Sequence, residues 1–153
     1  MRNLASASVR ADTVERLGRL TPLMPAHWGV MSCGQMIQHL RLAFLMSLGE
    51  FAVADSPNRR MDNSFFRFLA VTAPVRWPRG VPTLRELNLA TGKFARVEFE
   101  EERAALIEAL HRFGEARPGD LHPTHPMFGQ LNYAQWMRWG YRHADHHLRQ
   151  FGC

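Results

Sequence analysis

Residues 132–151 read NYAQWMRWGYRHADHHLRQF, and this stretch decides the fold. Within it Trp136, Gly140, His143, His147 and Gln150 recur at alternating spacings of four and three residues. In an α-helix this spacing places all five side chains on one face, the face that normally packs against a core. Two imidazoles and an amide are costly to bury unless they find partners. Because two histidines one turn apart suit a divalent metal ion, the stretch predicts a helix that carries part of a metal site.

Three other segments have helical periodicity. We predict helices over residues 8–20, 32–51 and 98–113, in addition to the last helix, which follows Asn132 and runs to about residue 151. Ser32 with Gln35, and Asn132 with Gln135, match the capping box that begins a helix. Gly114 is the expected stop of the third helix, and its first-turn acids, residues 100–102, are expected to be solvated.

The segments between these helices are irregular. A short aromatic helix is predicted over residues 65–73, ahead of Pro74. Residues 75–97 and 117–131 are rich in proline and glycine and show no convincing strand pair. The longer loop would serve as a lid or a pocket wall. The chain, residues 1–153, is therefore predicted to be one all-α domain, a four-helix bundle with long connecting loops.

A third histidine is predicted to face the same interior. His39 shares one face of the predicted helix over residues 32–51 with Met36 and Ala43. Together with His143 and His147 it would form a three-nitrogen metal site. Three protein ligands with open positions are typical of catalytic rather than structural metal sites.

Further residues are candidates for the surroundings of the ion. Gly140 would leave room beside it, Gln150 would orient a ligand or a bound water, and Trp136 shares their stripe. His146, beside the stripe, is the first substitute ligand and otherwise a pocket residue. His125 lies in a predicted turn, where it either reaches the site or packs on an aromatic ring.

The residue types also limit the chemistry. Position 144 is alanine, so the pair of histidines is not the HExxH motif of zinc proteases, which places its general base there. Asp145 is expected to face outward or to bond a neighbouring helix. With no acid on the inward stripes, chemistry would depend on the metal as a Lewis acid. Taken singly, an HxxxH pair is often surface polarity, and an inward histidine is often a hydrogen-bonded core residue.

Composition excludes several classes of protein. The net charge is +5 and 46% of residues are apolar, an ordinary globular balance. The arginines are dispersed and form no dense basic face, which argues against nucleic-acid binding. Cys33 and Cys153 have no CxxC context, so a reducing compartment is expected. No signal peptide or membrane-spanning run is evident, and we predict a cytoplasmic protein.

At these residues the chain resembles the DinB-like superfamily of helical-bundle metalloenzymes, also called YfiT-like. Its signature is one histidine in the second helix and a last helix reading HxxHHxxQ, here His39, His143, His146, His147 and Gln150. The blocks around residues 28–39 and 125–152 are similar to an uncharacterised bacterial branch. The resemblance implies His39, His143 and His147 as ligands of Zn, Ni or a similar ion. It also implies a thiol-dependent transferase or a related hydrolase, a low-molecular-weight thiol as cofactor, a small-molecule substrate and a homodimer.

Three hypotheses follow from the sequence. The leading one is a metal-dependent enzyme, a thiol-dependent transferase or a related hydrolase. The second is a non-catalytic metal-binding or stress-related bundle, which a fourth protein ligand such as His146 or His125 would favour. The third is a plain bundle whose histidines are only hydrogen-bonded. Imidazole ligands suit several metals, so the sequence leaves the native ion open, with Zn and Ni as first candidates.

Overall fold

The computed structural model describes residues 1–54, 63–81, 83–89 and 98–153, and it confirms an all-α fold. The helices are α1 (Ala7–Gly18), α2 (Cys33–Ser47), α3 (Ser64–Arg67), α4 (Phe99–Glu115) and α5 (Tyr133–Gln150). A π-helical turn, Phe68–Thr72, continues α3, and short 3-10 turns lie at Arg85–Leu87 and Pro118–Asp120. Part of the predicted loop over residues 75–97 lies outside the described residues, as do residues 55–62.

Both predicted capping boxes are present and begin the two helices that carry histidines. The side chains of Ser32 and Asn132 accept hydrogen bonds from the backbone of Gln35 and Gln135, and each glutamine side chain accepts one in return. These contacts satisfy amide groups that the first helical turn leaves without partners. The registers of α2 and α5 are therefore fixed by local sequence.

The predicted end of α2 at residue 51 was wrong. The helix ends at Ser47, and Gly49 has a φ of 76°, the left-handed conformation that glycine adopts at helix ends. The amide of Glu50 then donates to the carbonyl of Leu45 at 2.8 Å, which closes the last turn. Gly49, two residues before the predicted boundary, therefore marks the end of α2.

Two expectations about α4 were also wrong. Gly114 lies inside the helix, which continues to Glu115, and a Cβ at Gly114 would lie 2.7 Å from the backbone oxygen of Leu4. This glycine permits a close approach of the N-terminal segment. Of the three first-turn acids, Glu100 and Glu101 are exposed as expected, whereas Glu102 is buried and its carboxylate pairs with Arg41 on α2.

The expectation of no strand pair fails in the second loop. Thr124–His125 (β1) and Gly129–Gln130 (β2) form a small antiparallel hairpin in which His125 pairs with Gly129. The amide of Phe128 donates to the carbonyl of His125 at 3.2 Å and closes the turn. Two residues per strand are too few to produce an alternating pattern in the sequence.

The core lies between the four long helices. Phe44 of α2 and Phe113 of α4 are fully buried, with ring centroids 5.1 Å apart. Asp145 of α5 pairs with Arg16 of α1 at 3.0 Å, as one of its two predicted roles. His39 of α2 and His143 and His147 of α5 line a cavity whose wall includes described residues between 66 and 88.

The short aromatic segment is only partly buried. Its helix is present, but Phe65, Phe66 and Phe68 are 64%, 40% and 52% exposed, whereas Ala70 and Val71 are buried. No helix of the described residues combines the length and apolar character needed to cross a bilayer.

Candidate metal centre

Three buried imidazoles converge where α2 meets α5. His39, His143 and His147 are 2%, 8% and 8% exposed. Each offers a ring nitrogen such that the three atoms lie within 4.8 Å of one another. The Nε2 atoms of His39 and His143 are 3.0 Å apart, although the residues are 104 positions apart in the chain. The structure thus brings together the three residues that the sequence predicts as ligands.

Hydrogen bonds fix the orientation of two of these rings. Nδ1–H of His39 donates to the carbonyl of Leu87 at 2.8 Å, and Nδ1–H of His147 donates to Oε1 of Gln150 at 2.8 Å. The proton of each neutral ring is thereby assigned to Nδ1, and Nε2 keeps its lone pair. Histidines that bind metal usually donate their other ring nitrogen in this way.

The close contact between His39 and His143 tests whether a cation fits. Two nitrogen lone pairs 3.0 Å apart repel each other unless a proton or a cation lies between them. A metal ion satisfies both nitrogens and that of His147 at once. A proton on His143 Nε2 satisfies the pair alone, which is the hydrogen-bonded alternative. The chemistry of the donor set therefore fits a divalent ion, and metal analysis separates the two cases.

All three rings are held neutral. Burial lowers the pKa of His39 below its usual value, and it lowers the pKa of His143 and His147 well below theirs. The neighbouring imidazoles lower the pKa of His143 further, since each positive charge disfavours the next. Neutral imidazole is the form that coordinates a metal.

A cavity of about 500 Å³ opens onto this cluster. Its walls are mainly aromatic and aliphatic, and they come from the turn before α2, from α3 with its π-turn, from residues 75–81 and 83–88, and from the hairpin. Its described lining includes no aspartate or glutamate. A small, largely apolar compound therefore has space beside the three histidines.

The other candidate histidines also line this cavity but stand apart from the three-nitrogen cluster. His146 lies between the rings of Trp28 and Trp77, with centroids 5.8 and 5.9 Å away. His125 is 3% exposed, and its ring packs 4.7 Å from that of Phe128. It packs on an aromatic ring, which is one of its two predicted roles, and it lines the cavity without joining the three-nitrogen cluster.

Gln150 and Trp136 each contact one of the candidate histidines. Gln150 accepts the hydrogen bond of His147, and its Nε2 donates to the carbonyl of Trp28 at 2.7 Å, so it connects His147 to the cavity wall. Trp136 is 1% exposed and does not line the cavity. Its ring lies 5.3 Å from that of His125, which it supports from behind.

Gly140 does not leave room beside the ion, contrary to expectation. A Cβ at this position would lie 2.4 Å from Cε1 of Phe113 and 3.1 Å from Cδ1 of Leu4. The glycine faces α4 and the N-terminal segment, because a stripe that spans four turns contacts several partners along its length. It permits close packing of the bundle and is not part of the pocket.

The two arginines that flank the stripe are engaged by the protein itself. Arg142 donates to the backbone carbonyls of Ala73 and Val75. Arg149 pairs with Asp145 at 2.9 Å. These contacts hold the segment after α3 against α5 rather than presenting a free cationic site.

The sequence did not indicate several neighbours of the cluster. The carbonyl of Leu87 and the ring of Trp77, 5.7 Å from His143, come from a segment without periodicity. Trp139, with its ring 5.0 Å from that of His143, lies one turn before it on α5. Of these neighbours, only Trp139 could have been predicted from the sequence, because it lies four residues before His143 on the same helix.

Comparison with known proteins gives one match. A family model described as the DinB superfamily matches residues 7–151, nearly the whole chain. Neither curated proteins nor solved structures give a significant match.

Proposed function

The chain belongs to the DinB superfamily, and we propose that it is a metal-dependent enzyme that acts on a small molecule in the cavity beside its three histidines. The proposed ligands are His39, His143 and His147, with Zn or Ni as the ion. The proposed reaction is transfer to or from a low-molecular-weight thiol, or a related hydrolysis. In this proposal the protein works in the cytoplasm.

One observation carries the proposal. A buried three-nitrogen cluster meets a cavity large enough for a substrate, and no fourth histidine, cysteine or carboxylate among the described residues joins the cluster. A purely structural ion would normally be enclosed by four protein ligands. An open-sided site beside a pocket favours catalysis over a structural role.

In this proposal some residues hold the ion and others hold the substrate. When bound, a divalent ion supplies Lewis-acid chemistry that lowers the pKa of a water or thiol. Leu87 and Gln150 keep the ring nitrogens of His39 and His147 directed at one point. The aromatic walls, including Trp28 and Trp77, would limit the access of water to a substrate held beside the cluster.

Metal analysis tests the ligand assignment directly. Purified wild-type protein should contain about one equivalent of metal, and His39→Ala should lose most of it. His111→Ala, which removes an exposed histidine on α4, is the matched control and should keep the metal. Equal metal content in wild type and His39→Ala would reject the assignment.

A reaction screen then tests catalysis. Metal-loaded protein is incubated with small thiols and an aromatic electrophile such as 1-chloro-2,4-dinitrobenzene, and separately with nitrophenyl esters. We expect turnover that His39→Ala lacks and His111→Ala retains. Stoichiometric metal without turnover in either assay would favour the non-catalytic metal-binding protein.

The homodimer implied by the family resemblance remains a proposal. Light scattering coupled to size-exclusion chromatography measures the mass in solution. A mass of twice 17.6 kDa would support it, and a single-chain mass would reject it.

A further inference from the structure

The three proposed ligands differ in what holds their second ring nitrogen. Nδ1 of His39 and Nδ1 of His147 each have an oxygen acceptor 2.8 Å away. Nδ1 of His143 has no hydrogen-bond partner among the described residues, and protein atoms fully enclose it. Because water does not reach an enclosed atom, solvent cannot replace the missing partner. Hydrogen bonding therefore fixes two of the three rings and leaves the third without an acceptor.

Two indole rings pack near His143. The ring centroids of Trp139 and Trp77 lie 5.0 and 5.7 Å from that of His143. The face of an aromatic ring accepts an N–H far more weakly than a carbonyl oxygen does. A buried N–H without an acceptor is costly, so a proton on Nδ1 of His143 is disfavoured in the metal-free protein.

The other ring nitrogen of His143 does have a partner. Its Nε2 lies 3.0 Å from Nε2 of His39. His39 carries its proton on Nδ1, which donates to the carbonyl of Leu87, so Nε2 of His39 can only accept. In the metal-free protein the proton of His143 therefore resides on Nε2 and donates to His39. This hydrogen bond joins α2 to α5 without an ion.

Binding an ion requires the opposite arrangement at His143. Coordination through Nε2 needs the lone pair of that atom, so the proton of the neutral ring must be on Nδ1. Nε2 releases its proton to water and Nδ1 takes one up, so the charge of the ring stays the same and only the tautomer changes. Of the three ligands, His143 alone then holds an enclosed N–H that lacks an acceptor.

We propose that His143 is the exchangeable ligand of the cluster, donating from Nε2 to His39 in the metal-free protein and changing tautomer to coordinate when an ion binds. This inference rests on the proposed function, because it describes how the proposed metal site is filled and emptied. His39 and His147 keep their protons on Nδ1 in both states and form the permanent part of the site. His143 contributes least to affinity, because its N–H has no acceptor once the ion is bound.

Long-range ¹H–¹⁵N correlation spectra of wild-type protein test the tautomers directly and do not depend on the folding of variants. After treatment with a chelator, His39 and His147 should be protonated on Nδ1 and His143 on Nε2. One equivalent of zinc chloride should move the proton of His143 to Nδ1 and leave the other two in place. A proton on Nδ1 of His143 before zinc is added, or on its Nε2 afterwards, would overturn the proposal.

Zinc affinities of alanine variants measure the unequal contributions of the ligands. In competition with a chromophoric chelator, His143→Ala should lose about 10- to 100-fold less affinity than His39→Ala or His147→Ala, because a hydrogen-bond partner on a ligand contributes about that much. His111→Ala, which removes an exposed histidine, is the matched control and should bind zinc as the wild type does. Equal losses in the three ligand variants would contradict an exchangeable His143.

The outcomes separate this proposal from the proposed function. Protein that binds no zinc would reject the metal site and its exchangeable ligand together. Protein that binds zinc without a change of tautomer at His143 would overturn this proposal and leave the metal site intact. Zinc binding with the expected movement of the proton would support it even if no substrate were turned over.

Discussion

At the scale of single residues, the non-ligating nitrogens explain how the cluster is built. His147 and Gln150 are three residues apart on α5, and their hydrogen bond is a local contact that the stripe pattern nearly predicts. His39 instead depends on the carbonyl of Leu87, 48 residues away. That partner could not be predicted, because a backbone carbonyl leaves no trace in side-chain periodicity.

Replacing Gln150 should weaken metal binding without removing a ligand. Gln150→Leu deletes the acceptor that holds His147, and such partners typically contribute about 10- to 100-fold in metal affinity. Gln150→Glu keeps an acceptor for Nδ1–H, although it loses the donor to the Trp28 carbonyl, so it should bind metal more tightly than Gln150→Leu does. Competition with a chromophoric chelator measures both affinities. An unchanged affinity in Gln150→Leu would contradict the orienting role.

His125 should make the folded protein sensitive to acid. Its pKa is about 3 in the folded state against 6.5 as the ordinary value, so below about pH 6.5 only the unfolded chain takes up this proton. The free energy of unfolding therefore falls as the pH drops from 6.5 toward 3, and the contribution at pH 5.5 is about 1 kcal/mol. Urea denaturation at pH 7.5 and 5.5 measures the fall.

Two variants isolate that contribution. The loss of stability between pH 7.5 and 5.5 should be about 1 kcal/mol smaller in His125→Phe and in His125→Gln than in the wild type. Agreement between the two would assign the effect to the lost titration rather than to altered packing. A fall as large as that of the wild type in both variants would show that His125 does not contribute.

At the scale of secondary-structure elements, helix starts were more predictable than helix ends. Both capping boxes were predicted because their signal is contained in four consecutive residues. The end of α2 was missed because apolar residues continue beyond Gly49 and resemble a further helical turn. The stripe on α5 was predicted to be inward along its length, but periodicity cannot tell which partner each turn will meet.

Gly140 shows the consequence of that ambiguity. Gly140→Ala should destabilise the bundle, because its Cβ would clash with Phe113, and overpacking typically costs about 1–3 kcal/mol. Gly18→Ala at the end of α1 has no heavy atom within 4 Å of its Cβ and is the matched control. Chemical denaturation compares the two variants. Equal free energies of unfolding in the two variants would contradict the close packing. A loss of metal with an unchanged free energy of unfolding would indicate instead that Gly140 lines the pocket.

At the scale of the whole molecule, the fold could be predicted further than the site. Four helices with inward apolar faces follow from periodicity, and the all-α architecture was confirmed. The cavity is different, since much of its wall comes from residues 75–81 and 83–88, where the sequence shows no repeating pattern. The inward faces of two helices and the family resemblance both predicted that His39 would meet His143, but periodicity alone cannot define the tertiary packing that brings their Nε2 atoms to 3.0 Å.

A bound ion should stabilise the entire bundle, because its ligands join α2 to α5. Free metal at 100 times its dissociation constant adds about 2.7 kcal/mol to the free energy of unfolding. For a chain of this length that raises the melting temperature by roughly 5–10 °C. Calorimetry with and without chelator should show this shift in the wild type and in His111→Ala, and not in His39→Ala. Identical melting of wild type in both conditions would contradict a bound ion.

The cavity is built partly by helices and partly by irregular segments, and this affects how the sequences of related proteins can diverge. Two capped helices fix the three imidazoles, whereas the turn around Trp28 and residues 63–89 shape most of the opposite wall. Under the proposed function, substitutions in those segments change what the cavity admits while the three histidines stay in place. Mutant libraries confined to these segments should therefore change which compounds the protein selects, while the chemistry of the proposed metal site stays the same. The same fold would then accept many different compounds.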